Sequence, residues 1–272
     1  MGVNMAKKMV SPENDLFSFS FCDQREVFEE KHLVSLVSLA DPEKWTTKNG
    51  KPFDILFYYV IKTFEVLSKQ NKISISNNEE AAIFNTGLTT SNGEDIFGFC
   101  TKNKFPNAQK WFFNGFLKSS SRTLSYYQFD YPKIASYDSF PLDLFFDVTQ
   151  TIESDFDHIF DDHWDEQQER FPEDIKMLGK PLAIAAIKSA IDVCKIKMKR
   201  NSRLAVPQYY DGRIMFLLPI QIHVLNNKCV TMALAVEKNS NNSYRINTIF
   251  DLDTAYKKAR LINKPESNWL IE

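Results

Sequence analysis

RIMFLLPIQIHVLNNKCVTMALAVEKNSNNSYRINTIFDLDTAYKKAR, residues 213–260, decides the fold class. Three apolar runs, RIMFLLPIQIHV, CVTMALAVEK and YRINTIF, have strand length and are rich in β-branched and large apolar residues. Asn226-Asn227 separates the first two and NSNNS the last two. Connections this short join strands that run in opposite directions, so the segment predicts an antiparallel meander. A helix is expected to follow from about Asp253.

Working outward, Glu80 to Lys102 holds two further strand-like runs, AAIFNTGLTT and EDIFGFCTKN, joined by Ser91-Asn92-Gly93. Asn-Gly between such runs is a strong hairpin signal. Ahead of it, Asp23 to Leu39 predicts a helix whose apolar stripe is Val27, Leu33, Val34 and Val37, beneath a charged EEKH face and ended by Asp41-Pro42. FDILFYYVIKTFEVLSKQ, after Lys51-Pro52, predicts a second helix too densely apolar to be exposed. The aromatic stretches QKWFFNGFLKSS, LSYYQFDYP and DLFFDV predict strands and loops of no fixed order. Asp155 to Phe171 predicts an amphipathic helix with an acidic outer face, and Pro181 opens another that ends in a run of cations. The sum is an α+β fold: a mostly antiparallel sheet, made of the C-terminal three-stranded meander plus the N-terminal hairpin, covered by helices. No repeat or Gly/Ser-rich linker interrupts the chain, so a single domain over 1–272 is expected, with 1–20 as an N-terminal tail or arm.

A net charge of -2 argues against a generally basic nucleic-acid coat, so an anion site must come from a local cluster. The four cysteines, Cys22, Cys100, Cys194 and Cys229, show no zinc spacing and are expected to be reduced, buried thiols that need no disulfide. No apolar signal region or membrane-length run occurs, and a cytoplasmic protein without membrane contact is expected. The absence of a Walker loop, GxGxxG, GxSxG and HExxH removes the enzyme classes those motifs mark.

The phrases AIFNTGLTT, EDIFGFCTKN, DHIFDD, QERFP, LAVPQYYDG, LLPI, ALAVEK, NTIFDLDTAYKKARLI and PESNWL, in that order, resemble a bacterial family that is a domain of unknown function. Its members are often fused to cold-shock-type or LOTUS-type RNA-binding modules, and the resemblance runs from about residue 28 to residue 270. It implies an association with RNA processing or nucleic-acid surveillance. Lys257 and Lys258 stand where the family's pattern leads one to expect an Asn pair, which favours phosphate contact at that helix.

The residues carry the same suggestion independently. KIKMKRNSRLAVPQYYDGR, residues 195–213, sets Lys195, Lys197, Lys199, Arg200, Arg203 and Arg213 around Gln208, Tyr209 and Tyr210, the mixture that phosphate contact and base stacking require. Cations at a helix end are also ordinary macrodipole partners. Tyr256 and Arg260, one turn apart, either pack on the sheet or complete a pocket with Gln208. Asn85 and Thr86 break an apolar strand and mark a bulge or a close ligand approach. His158, Asp162 and Glu166 share a helix face, and Glu237 ends a strand poor in charge, pairing with Arg213 or Arg260 or acting as a base. The leading expectation is an RNA- or nucleotide-binding domain. The alternatives are a hydrolase or transferase acting on nucleotides or RNA ends through His158, Glu166 and Glu237, and a protein-interaction scaffold. No cofactor or metal site is expected, although a divalent metal on the His158 face is compatible with those residues.

Overall fold

In a computed structural model the described residues are 15–48, 50–105, 107–137, 144–153, 171–224 and 228–271. The backbone groups into two compact units, residues 1–136 and 137–272. The expected helix from Asp155, save Phe171, and the Asn226-Asn227 turn lie outside the described residues.

The first unit begins with α1 (Leu16–Phe19) and β1 (Ser20–Phe21); Leu16 and Ser20, placed by the sequence in an N-terminal arm, are fully buried. The next helix is continuous but not uniform: α2 (Arg25–Val27), a π-helical segment (Phe28–Leu33) and α3 (Val34–Leu39). The wider π turn rotates the helix face, so a stripe counted at 3.6 residues per turn goes out of phase. Phe28, His32, Leu33 and Leu36 are buried, whereas Val27 and Val34 are 41% and 47% exposed, which corrects the expected stripe. Helix α4 (Asp54–Lys69) buries Ile55, Tyr59, Phe64 and Val66, as its apolar density predicts.

Strands β2 (Ile73–Ile75), β3 (Ala81–Thr89), β4 (Asp95–Lys102) and β5 (Trp111–Lys118), with the short helix α5 (Arg122–Tyr127), complete this unit. The sheet order is β1-β5-β4-β3-β2, antiparallel except for the β1–β5 pair. The predicted β3–β4 hairpin is present, and Gly93 at its turn has φ 79, the left-handed region that glycine enters without strain.

His32 lies in an aromatic setting, with ring centroids 4.9 Å from Phe113 and 5.5 Å from Phe28, and its buried Nε2 has no hydrogen-bond partner. Burial pushes its pKa below the ordinary 6.5, Lys31 adds to the depression, and Asp23 opposes it. Above pH 6.5 the ring is neutral folded or unfolded; as pH falls the unfolded chain protonates first, so stability is lost through the depressed folded pKa. His32→Leu is expected to remove this acid-side loss and to hold stability at neutral pH, since the orphan nitrogen costs roughly 1–3 kcal/mol. Urea midpoints of both proteins across the acid range check this, and parallel pH profiles would refute it.

The second unit contains β6 (Thr151–Glu153), α6 (Glu173–Lys176), α7 (Gly179–Arg200), a 3-10 turn (Ser202–Leu204), β7 (Val206–Tyr210), β8 (Arg213–His223), β9 (Cys229–Lys238), β10 (Ser243–Phe250), α8 (Leu252–Ala259) and α9 (Asn268–Ile271). The meander β8-β9-β10 is antiparallel as predicted. The layout differs in two respects. There are two mixed sheets of five strands, and the second, ordered β6-β10-β9-β8-β7, gains a parallel edge strand at β6 and an antiparallel one at β7. Asp211 and Gly212, both at positive φ, make the β7–β8 turn.

Strand alternation gives this sheet two apolar faces. Phe216, Leu218, Ile220 and Ile222 of β8 form one core with Ile187, Ile191, Cys194 and Met198 of α7. Met215, Leu217, Ala233 and Ala235 are as deeply buried on the opposite face, where α8 packs across β7 and β9. Cys22, Cys100 and Cys194 are buried, and burial pushes the Cys22 and Cys194 thiols up to about 12; Cys229 is exposed, against expectation. Among the described residues no helix is long and apolar enough to cross a membrane.

Candidate functional site

PQYY lies in the edge strand β7, so its residues divide between faces. Gln208 pairs across the ladder with Met215 and Tyr210 with Arg213, placing both on the α8 face. Tyr209 pairs with Ile214 on the α7 face and meets Tyr137 edge-on at 5.0 Å. On the α8 side stand Gln208, Tyr210, Arg213, Glu237, Tyr256 and Arg260, so one side of this sheet collects six of the predicted residues.

Their environments separate them. Gln208 is 1% exposed, with its Oε1 buried and without a hydrogen bond, so its amide faces the helix-covered interior. Tyr256 and Arg260 are buried as well, on a helix whose N-cap Asp251 accepts from the Thr254 amide. Glu237 forms an ion pair with Arg213 and accepts from Asn247 Nδ2 at 2.9 Å, the pairing that its position at a strand end allows. Tyr210 is 51% exposed, with the Lys258 ammonium 4.8 Å from its ring centroid and 5.1 Å from that of Phe250.

Asn85 and Thr86 lie in the first unit, at a register shift between β3 and β4. Asn85 donates to Asp95 and to the Pro132 carbonyl and accepts from the Gly87 amide; Thr86 Oγ1 donates to Ile96 O at 2.6 Å. These side chains serve the bulge. His158, Asp162 and Glu166 lie outside the described residues. Among the described residues no group of His, Cys, Asp and Glu is arranged to hold a metal.

Arg203 stands apart from the sheet, in the 3-10 turn that follows α7. Asn201 Oδ1 accepts from the Arg203 amide at 3.2 Å and fixes the turn, leaving the guanidinium exposed. The C-terminal segment docks here: Trp269 Nε1 donates to Leu204 O at 2.9 Å, and Ser267 Oγ reaches Arg203 O at 3.5 Å. Between them lies a cleft of about 740 Å³ whose lining includes Arg203, Ser202, Glu266, Asn268, Trp269 and Phe145. Phe145 is 72% exposed and Trp269 partly so.

The cations of the α7 end are not equivalent. Lys197 donates to Gln221 Oε1, Arg200 to the Ile196 carbonyl, and Lys195 lies 3.7 Å from Asp192. Among the described residues no carboxylate pairs with Lys199 or Arg203. A cation beside exposed aromatic rings and hydroxyls in a concave site can hold an anion while a ring stacks on a flat group. Sequence reading found Arg203 but missed Trp269, Phe145 and Glu266, because they come from distant parts of the chain. It also passed over Asp211-Gly212, a hairpin signal between two apolar runs.

Residues 36–269 match the family described as Domain of unknown function (DUF3825). No curated protein and no solved structure matches the chain.

Proposed function

We propose, for a chain that belongs to the DUF3825 family of unknown function, that it binds RNA or nucleotides through the Arg203 cleft. The observation that carries this reading is the joining of an exposed guanidinium, without a carboxylate partner among the described residues, to the Trp269 and Phe145 rings in one concavity. The guanidinium takes phosphate oxygens in pairs, the rings stack bases, and Ser202, Ser267 and Asn268 supply hydrogen bonds to sugar or base edges. The chain's resemblance to bacterial proteins fused to cold-shock-type or LOTUS-type RNA-binding modules supports the same ligand class and a place in RNA processing.

Arg203→Ala is expected to weaken binding of short RNAs about 10-fold or more, since a hydrogen bond to a charged group contributes roughly 1.5–3 kcal/mol. Trp269→Ala is expected to lose a comparable amount, about 1–3 kcal/mol per stacked base. Fluorescence anisotropy with labelled RNAs, and competition by nucleotides at low and high salt, measures both. Absence of affinity for every ligand, or affinity unmoved by either substitution, would refute the reading.

A further inference from the structure

The Arg203 cleft is the middle of three adjoining depressions. At one end Phe146 lines both the cleft and a depression of about 190 Å³ that is also bordered by Lys195 and Lys199 of α7. At the other end Ala205, Glu266 and Ser267 line both the cleft and a depression of about 300 Å³ that is also bordered by Lys264. The shared lining residues set the three depressions side by side on the second unit.

Each compartment has a cation: Lys195 and Lys199 in the first, Arg203 in the second, Lys264 in the third. Lys195 and Lys199 are four residues apart, so they lie on the same side of α7, roughly 6 Å apart along the axis. Lys199, Arg203 and Lys264 have no carboxylate partner among the described residues. A mononucleotide in the central cleft leaves Lys199 and Lys264 without an anion. A chain of phosphates meets all of them in turn.

Resting on the reading of the cleft as a nucleotide site, we propose that its ligand is a single-stranded nucleic acid of several nucleotides, laid along the three depressions as one groove. Its phosphates follow Lys199, Arg203 and Lys264, and its bases turn to the Phe145 and Trp269 rings. Those rings favour a nucleic acid over an acidic peptide, which brings charge but no flat face to stack. Glu266 is the one carboxylate among the described lining residues, and it stands in the wall shared by two compartments. It opposes a passing phosphate and keeps binding below what the cations alone would give.

The test is anisotropy with oligouridylates of increasing length, from a mononucleotide to a hexamer, in RNA and DNA forms and over a range of salt. Affinity is expected to rise about ten-fold or more from the mononucleotide to the hexamer, as linked sites bind together. The salt dependence should steepen by about 0.7 in log–log slope for each phosphate engaged. Lys199→Ala and Lys264→Ala each lower hexamer affinity several-fold and flatten that slope, while Glu266→Gln raises the affinity, a gain that damage to folding does not produce. Circular dichroism confirms that the variants are folded. RNA held more tightly than DNA assigns the ligand to RNA, and equal affinity assigns it to single strands of either kind; both support the groove. A hexamer that binds no better than the mononucleotide, with Arg203 still needed, overturns the groove and leaves the cleft standing. Loss of all binding overturns both, and a polyglutamate that matches the RNA hexamer overturns the nucleic-acid assignment.

Discussion

Phe84→Ala is expected to destabilise the first unit by about 3–5 kcal/mol, the usual cost of emptying a large buried aromatic site. Phe84 is 1% exposed, packs edge-on against Phe64 at 5.0 Å and lies 6.4 Å from Phe113. It also stands across the β3–β4 ladder from Gly98, and its ring covers that glycine so closely that a Cβ there would come within 2.2 Å of it. Gly98→Ala in the native background therefore forces the ring aside, at a cost of about 1–3 kcal/mol. With Phe84 already truncated, the new methyl group enters the vacated space and its cost should fall towards zero. Urea unfolding of the two single variants and the double variant measures the coupling. Strictly additive losses would show that ring and glycine do not depend on each other.

A loss of similar size, about 3–5 kcal/mol, is expected for Tyr244→Ala in the second unit. The Tyr244 ring stacks on Phe146 at 4.4 Å, Phe216 meets both rings edge-on, and the Tyr244 hydroxyl accepts from the Asp147 amide at 2.9 Å. Tyr244→Phe keeps the packing and removes only that hydrogen bond, so about 0.5–1.5 kcal/mol is expected. The pair links the core to the site, because Phe146 lines both the Arg203 cleft and the depression beside Lys199. Under conditions where both variants remain folded, Tyr244→Ala should also weaken ligand binding and Tyr244→Phe should leave it within about two-fold, since only the former frees the Phe146 wall. Equal binding losses in both variants would place the effect in the hydroxyl and not in the ring.

Where an element's own residues carry the whole signal, sequence and structure agree. The runs CVTMALAVEK and RIMFLLPIQIH span β9 and β8, because continuous apolar character over strand length, between turn residues, is a local property. The Asp23–Leu39 helix was legible as a helix but not in its buried face, since one π turn changes the phase without changing the composition. On α7 Ile187 and Ile191 face the core, yet Leu182, Val193 and Ile196 are equally apolar and exposed, and periodicity cannot rank two apolar faces of one helix.

The sequence by itself determined the α+β class, the β3–β4 hairpin and the C-terminal meander, all of which depend on neighbours within a few residues. Only the tertiary structure decided that the strands divide into two five-stranded sheets, each with a parallel edge strand, because such pairing joins segments many residues apart. It also decided which candidates meet. The alternation of β7 sends Tyr209 and Tyr210 to opposite faces, the α8 helix buries Gln208, Tyr256 and Arg260, and the docking of Trp269 on Leu204 O gives Arg203 its cleft. A residue's chemistry is written in its type, but whether it faces a ligand, a partner charge or the core depends on what the rest of the chain brings against it.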